Sequence, residues 1–256
     1  MFIPSSKSKL SFIVLAMVAI ILFVWVENSR IISQKKYYEP KLEAAKLMQK
    51  AENIIREYQE QRGYYIDEEN DPNNTGLIGE KETLITTDRG SLRSKLTTLN
   101  PNFAAVLVQY FKDAGLQAGD NIAVSVTGSM PALNIALLSA AEVLNLKVKM
   151  ITSVGASMFG ATDPTFTWLD MENLLYENGI FNQRSIAASI GGGRDLGRGL
   201  NRRGRELIME AVARNNVPLI QENSLEENIK AKMEIFDKAC PNDGYKLYVN
   251  IGGGLS

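Results

Sequence analysis

The sequence predicts an α/β protein: an N-terminal transmembrane helix and a helical stalk, then a mainly parallel, Rossmann-like three-layer domain. Three observations predict it. An uncharged apolar run, LSFIVLAMVAIILFVWV, fills positions 10–26. From Leu84 onward, short β-branched runs alternate with amphipathic stretches long enough for crossover helices. Three of the short runs end in glycine turns, at Gly128, at Gly191–Gly193 and at Gly252–Gly254. The implied division is a tail (1–9), an anchor (10–26), a stalk (27–63), an acidic linker (64–76) and an α/β domain (77–256).

Composition bounds the chemistry. The chain has 256 residues, enough for an anchor and one ordinary domain, and its 45% hydrophobic and 22% charged content is that of a globular chain. A formal net charge of −1 gives no basic field for nucleic acid. One cysteine, Cys240, excludes an internal disulfide framework. Histidine is absent, which removes Ser-His-Asp and Cys-His catalysis and most zinc sites. Neither a metal nor a cofactor is implied.

The run 10–26 sits at the short end of a spanning helix, about 17 residues. Lys7 and Lys9 precede it and Trp25 marks its far end, where interfacial aromatics are common. A cleaved signal peptide is the rival reading, but Glu27, Asn28, Ser29 and Arg30 offer no small-x-small cleavage pair. Arg30, Lys35 and Lys36 nearly balance the charges before the span. The short tail favours an N-inside orientation, with the globular part outside the cytoplasm.

Positions 41–62 read as a helix. Leu42, Ala45, Met48, Ala51, Ile55 and Tyr58 recur at spacings of three and four. The stripe suits either a helix packed on its own domain or a membrane-proximal stalk. Positions 67–76, DEENDPNNTG, read as a solvated acidic loop whose spacing does not match an EF-hand.

In the domain, strands are expected at 84–87, 122–127, 147–153, 184–190, 217–221 and 246–251. Helices are expected at 92–99, 101–114, from Pro131, at 167–177, 196–215 and 225–239. Pro131 suits a first helical turn, and Ser129 stands where an N-cap would. The chain stops just after its last strand, so a C-terminal truncation is expected.

In a parallel sheet, the turns after strand carboxyl ends share one edge, where ligands bind. Gly128, Ser129, Gly191, Gly192, Gly193, Arg194, Gly252, Gly253 and Gly254 are therefore the ligand-binding candidates. Glycine admits close backbone approach, helix N-termini supply N–H donors for an anion, and Arg194 adds a bidentate carboxylate or phosphate contact. The turns match neither a P-loop nor G-x-G-x-x-G, since Gly197 comes one place late. Tight βα turns would show the same glycines. Ser129 and Asp195 are the weak catalytic candidates; a serine base would have to be lysine or a carboxylate. Asp88 and Asp195 both follow strand candidates and could be paired carboxylates or metal ligands, although solvated turn or helix-cap aspartates would look the same. The arginines 194, 198, 202, 203 and 205 suit either a polyanion or a solvated helix face.

The strings LITTDRGSLRSKLTTLNPNFAAVLVQYFKDAGLQAGD, NIAVSVTGSMPALNIA, TSVGASMFGATDPTFTWLDME and SIGGGRDLGRGL, behind a single N-terminal anchor, resemble the bacterial poly-gamma-glutamate system protein family. The resemblance covers roughly Gly76 to Ser256. It implies a single-pass component of the bacterial cell membrane that works with other poly-gamma-glutamate synthesis or export subunits and meets an anionic polymer. It carries over no catalytic residues. Three roles stay open: polymer-handling accessory protein, membrane-tethered hydrolase or transferase, and structural assembly partner.

Overall fold

The computed structural model describes residues 9–30, 33–242 and 244–252. It divides into two compact units, Met1–Tyr38 and Glu39–Ser256.

In the first unit, α1 (Lys9–Asn28) is 20 residues long, with a mean hydropathy of 2.6 and no buried residue. At 1.5 Å per residue it reaches ~30 Å, the thickness of a hydrocarbon core. By length and composition it is able to cross a membrane. It stops at a polar cluster, where Ser29 Oγ donates to the Trp25 carbonyl at 2.6 Å and Arg30 pairs with Glu27 at 2.5 Å.

The second unit starts with α2 (Tyr38–Gln61). Of the two readings open for this stretch, packing on the domain holds. Ala44, Met48, Ala51 and Ile55 are fully buried, in one cluster with the central helices. The following loop is exposed at positions 67–69 and 72–74, as expected of a solvated loop, but it also folds back on itself. Asp71 is buried, and its Oδ2 accepts from Thr75 N at 2.8 Å, Thr75 Oγ1 at 2.9 Å and Gly76 N at 2.8 Å. An acidic, apolar-poor string can still close on itself when one carboxylate collects the turn's N–H groups.

Glu52, on the buried side of α2, has its pKa pushed up to about 8, by burial first and the Asp71 charge second. The folded chain thus keeps a proton that the unfolded chain releases near pH 4.5, so stability falls as pH rises from about 4.5 towards 8. Glu172, pushed up to about 7 by burial, adds to the lower part of that fall. Glu52→Gln holds the uncharged shape at every pH. Its urea midpoint is expected to drop less between pH 5 and pH 8.5 than the wild-type midpoint does.

The sheet strands are β2 (Asn121–Thr127), β3 (Lys147–Ser153), β5 (Ser185–Ser189), β6 (Leu219–Ile220) and β7 (Leu247–Ile251), all parallel, in the order β6-β5-β3-β2-β7. A separate pair joins β1 (Thr86–Asp88) to β4 (Ala156–Ser157). The helices are α3 (Leu92–Thr98), α4 (Asn102–Asp113), α5 (Pro131–Val143), α6 (Trp168–Glu177), α7 (Arg202–Arg214) and α8 (Leu225–Ala239). β2 is buried along nearly its whole length because both faces are covered. Ile122, Val124 and Val126 face the α2, α4 and α5 side, while Ala123 joins Ile151, Ala187 and Phe236 of α8. This alternation is the period-2 register of a central strand between two helical layers.

The chain lays down β2, β3, β5 and β6 in one direction. It then crosses through α8 and places β7 on the other side of β2. The strand order therefore reverses between β2 and β7, and this fixes where a ligand crevice opens.

Helix α7 starts six residues later than the composition suggests. Gly191, Gly192, Arg194, Asp195, Gly197 and Gly199 all take positive φ, so the chain coils tightly before Asn201 caps the helix on Gly204 N at 2.8 Å. Arg194 and Asp195, at φ 59° and 58°, occupy the left-handed region without being glycine.

Candidate functional site

A cavity of about 580 Å³ opens at the carboxyl ends of β2, β3 and β7. Its walls come from Thr127 and Ser129 after β2, Ser153 at the end of β3, Gly191–Arg194 after β5, and Ile251 and Gly252 at the end of β7. A second layer, from Thr87 to Lys95 with Gly155 and Ser157, closes the opposite side. Three turns predicted to share one edge thus do meet, and at the switch point. Gly253 and Gly254 lie outside the described residues.

Gly128 serves the turn itself and does not line the cavity. Its N–H donates to the Ser153 carbonyl at 3.0 Å and its carbonyl accepts from Ala161 N at 2.7 Å. A Cβ there would stand 2.5 Å from the Val154 carbonyl oxygen. Ser129 is not the N-cap of α5. Met130 holds that position with no side-chain bond, and Ser129 Oγ instead accepts from Ser157 N at 3.0 Å. Ser129 therefore ties the β2–α5 turn to β4.

Asp195 is 3% exposed and does not line the cavity. Its Oδ1 accepts from Ser189 Oγ at 2.8 Å, Gly191 N at 3.0 Å and Ser153 Oγ at 3.3 Å, and its Oδ2 pairs with Lys232 of α8 at 2.8 Å. These contacts hold the Gly191–Arg194 turn in shape, which makes Asp195 a positioning group. Asp88 does line the cavity, its Oδ1 accepting from Arg89 N at 2.7 Å, so the suggested Asp88–Asp195 pair does not form.

Lys95 and Ser157 escape a reading of the sequence. Lys95 lies on α3, one turn after Ser91, whose Oγ caps the helix by accepting from Ser94 N at 3.3 Å. The lysine is 4% exposed. Its Nζ donates to the Ser129 carbonyl and to Ser157 Oγ, the latter at 2.8 Å. Burial with no carboxylate partner lowers its pKa to about 8. One signal was present: Leu92, Lys95 and Leu99 share a helical face, so a lysine stood in an apolar stripe. Ser157, on a two-residue strand, had none.

The arginine run divides by position. Arg202 pairs with Glu206 at 2.9 Å and Arg203 with Glu210 at 2.7 Å on an exposed helix face. Arg194 lines the cavity. Arg89, Lys95 and Arg194 thus line the cavity together with one carboxylate, Asp88, among the described residues. None of the three is in an ion pair among the described residues. Met130 and Leu133, at the start of α5, also line the cavity, and the first-turn N–H groups of that helix have no partner within it.

Comparison of the chain with protein-family models, curated proteins and solved structures returned no match.

Proposed function

We propose that the domain binds a carboxylate-bearing ligand at the switch-point cavity, and that α1 tethers it to a bacterial membrane with the domain on the outer side. In this reading the protein is an accessory component of poly-gamma-glutamate synthesis or export, working beside the other subunits on the anionic polymer. The observation that carries it is charge: among the described residues, three cations without an ion-pair partner line one cavity that holds a single carboxylate. A buried ammonium without a counter-ion is costly, and an anionic ligand supplies that counter-ion. Arg89 and Arg194 offer planar forks suited to carboxylates. The linked strings that resemble poly-gamma-glutamate system proteins support the pathway.

The test uses the full chain in detergent micelles. Fluorescent poly-gamma-glutamate is expected to bind in a salt-sensitive manner. Arg194→Ala is expected to weaken binding by about tenfold or more, the worth of one charge-assisted hydrogen bond. Salt-insensitive or absent binding, with polymer output unchanged in cells carrying Arg194→Ala, would sink the reading.

A further inference from the structure

We propose that Ser157 and Lys95 form a nucleophile–base pair, so that the cavity carries out acyl transfer on a carboxylate-bearing amide or ester. The proposal rests on the reading above for the ligand's charge, with Arg89 and Arg194 holding the carboxylate while Ser157 meets the neighbouring carbonyl.

The geometry is that of an activated hydroxyl. Lys95 Nζ lies 2.8 Å from Ser157 Oγ, within reach of a direct proton transfer. The ammonium is held from a second side by the Ser129 carbonyl, which fixes its direction. Ser157 is held in turn by its own N–H, which donates to Ser129 Oγ at 3.0 Å. Gly90 closes in behind: a Cβ there would stand 3.0 Å from Ser157 Oγ and 2.4 Å from the Met158 carbonyl oxygen, so no larger residue fits beside the hydroxyl. Lysine can serve as base only when part of the population is neutral, and burial here brings its pKa to about 8. The other charged groups facing the cavity are Asp88, Arg89 and Arg194.

The step balances without a further reagent. Ser157 Oγ attacks the carbonyl carbon and its proton passes to the neutral Lys95 amine. The tetrahedral oxyanion is met by the first-turn N–H groups of α5, which have no partner within the helix. As the C–N or C–O bond breaks, Lys95 returns the proton to the leaving amine or alcohol. Water then attacks the Ser157 acyl ester and gives its proton to Lys95; as the acyl C–O bond to Ser157 breaks, Lys95 passes that proton to Oγ, which releases a carboxylic acid and restores the free hydroxyl and the neutral amine. An acceptor amine in place of water would give transfer instead of hydrolysis.

The test uses the full chain in micelles and two probes. A fluorophosphonate is expected to label Ser157, located by peptide mass, at a rate that rises between pH 6.5 and pH 9. Ser157→Ala removes the label, and Lys95→Met slows it at least tenfold. A p-nitrophenyl ester of glutaric acid is expected to be hydrolysed faster than the neutral pentanoate ester. No label at Ser157, or a wild-type rate in Lys95→Met, overturns the pair. The circular dichroism and thermal midpoint of Ser157→Ala, expected to match the wild type, show that it has folded. Polymer binding without labelling sinks this proposal alone; labelling without polymer binding sinks the polymer reading alone.

Discussion

Lys232→Ala is expected to destabilise the α/β domain by about 3–5 kcal/mol, the usual cost of leaving one half of a buried ion pair uncompensated. Lys232 and Asp195 are 7% and 3% exposed and meet at 2.8 Å. Removal of the ammonium leaves a buried carboxylate whose remaining contacts are two serine hydroxyls and one backbone N–H. The thermal midpoint is expected to fall by roughly 2–4 °C for each kcal/mol in a domain of this size. The pair sits behind the Gly191–Arg194 turn, so binding of an anion at the cavity is expected to weaken as well, although Lys232 does not line it. The double variant Lys232→Ala/Asp195→Asn removes the stranded charge and is expected to recover part of the loss. Chemical denaturation of all three proteins checks this. A loss below about 1 kcal/mol, as for a screened surface pair, would contradict the burial argument.

Lys95→Met is expected to have the opposite sign on stability. The buried ammonium pays desolvation with no carboxylate in return, and its pKa has fallen from 10.5 to about 8. Between those pH values the unfolded chain binds the proton and the folded chain does not, so wild-type stability rises with pH across that window. Below it, the full penalty is present. Methionine fills a similar volume without the charge, so the variant is expected to be more stable by roughly 2 kcal/mol at pH 7 and to lose the rise between pH 8 and pH 10. Denaturation midpoints at pH 7 and pH 10 test both parts. A variant less stable than wild type at pH 7 would mean that the two hydrogen bonds outweigh the desolvation. The same substitution is expected to weaken anion binding, so stability and ligand affinity part company at one residue.

Architecture was legible where periodicity was strong. β3 and α8 have the predicted boundaries, 147–153 and 225–239, because an apolar alternation and a capped amphipathic stretch leave little freedom. The shared edge of the glycine turns followed from the parallel topology. Strand order did not, since pairing of β7 with β2 rests on contacts across most of the domain. The second wall of the cavity was largely hidden. It depends on β1 and β4, two very short strands, and on Lys95 and Ser157, which are far apart in sequence and meet only once the β4 segment folds over α3. Ser129 misled because a hydroxyl before Pro131 reads as a cap, while its actual partner comes from β4.

The placement of β7 beside β2 also orders the events of folding. β2, β3 and β5 pair through successive crossovers, whereas β7 returns across most of the domain's length to β2, so it is expected to pair last. Closing so long a loop is the slowest kind of contact to make. Ile251 and Gly252 then complete the cavity wall in the same step. The cavity is then expected to form with the last pairing, and a chain stalled one strand short would have α1 and most of its core but a cavity missing one wall.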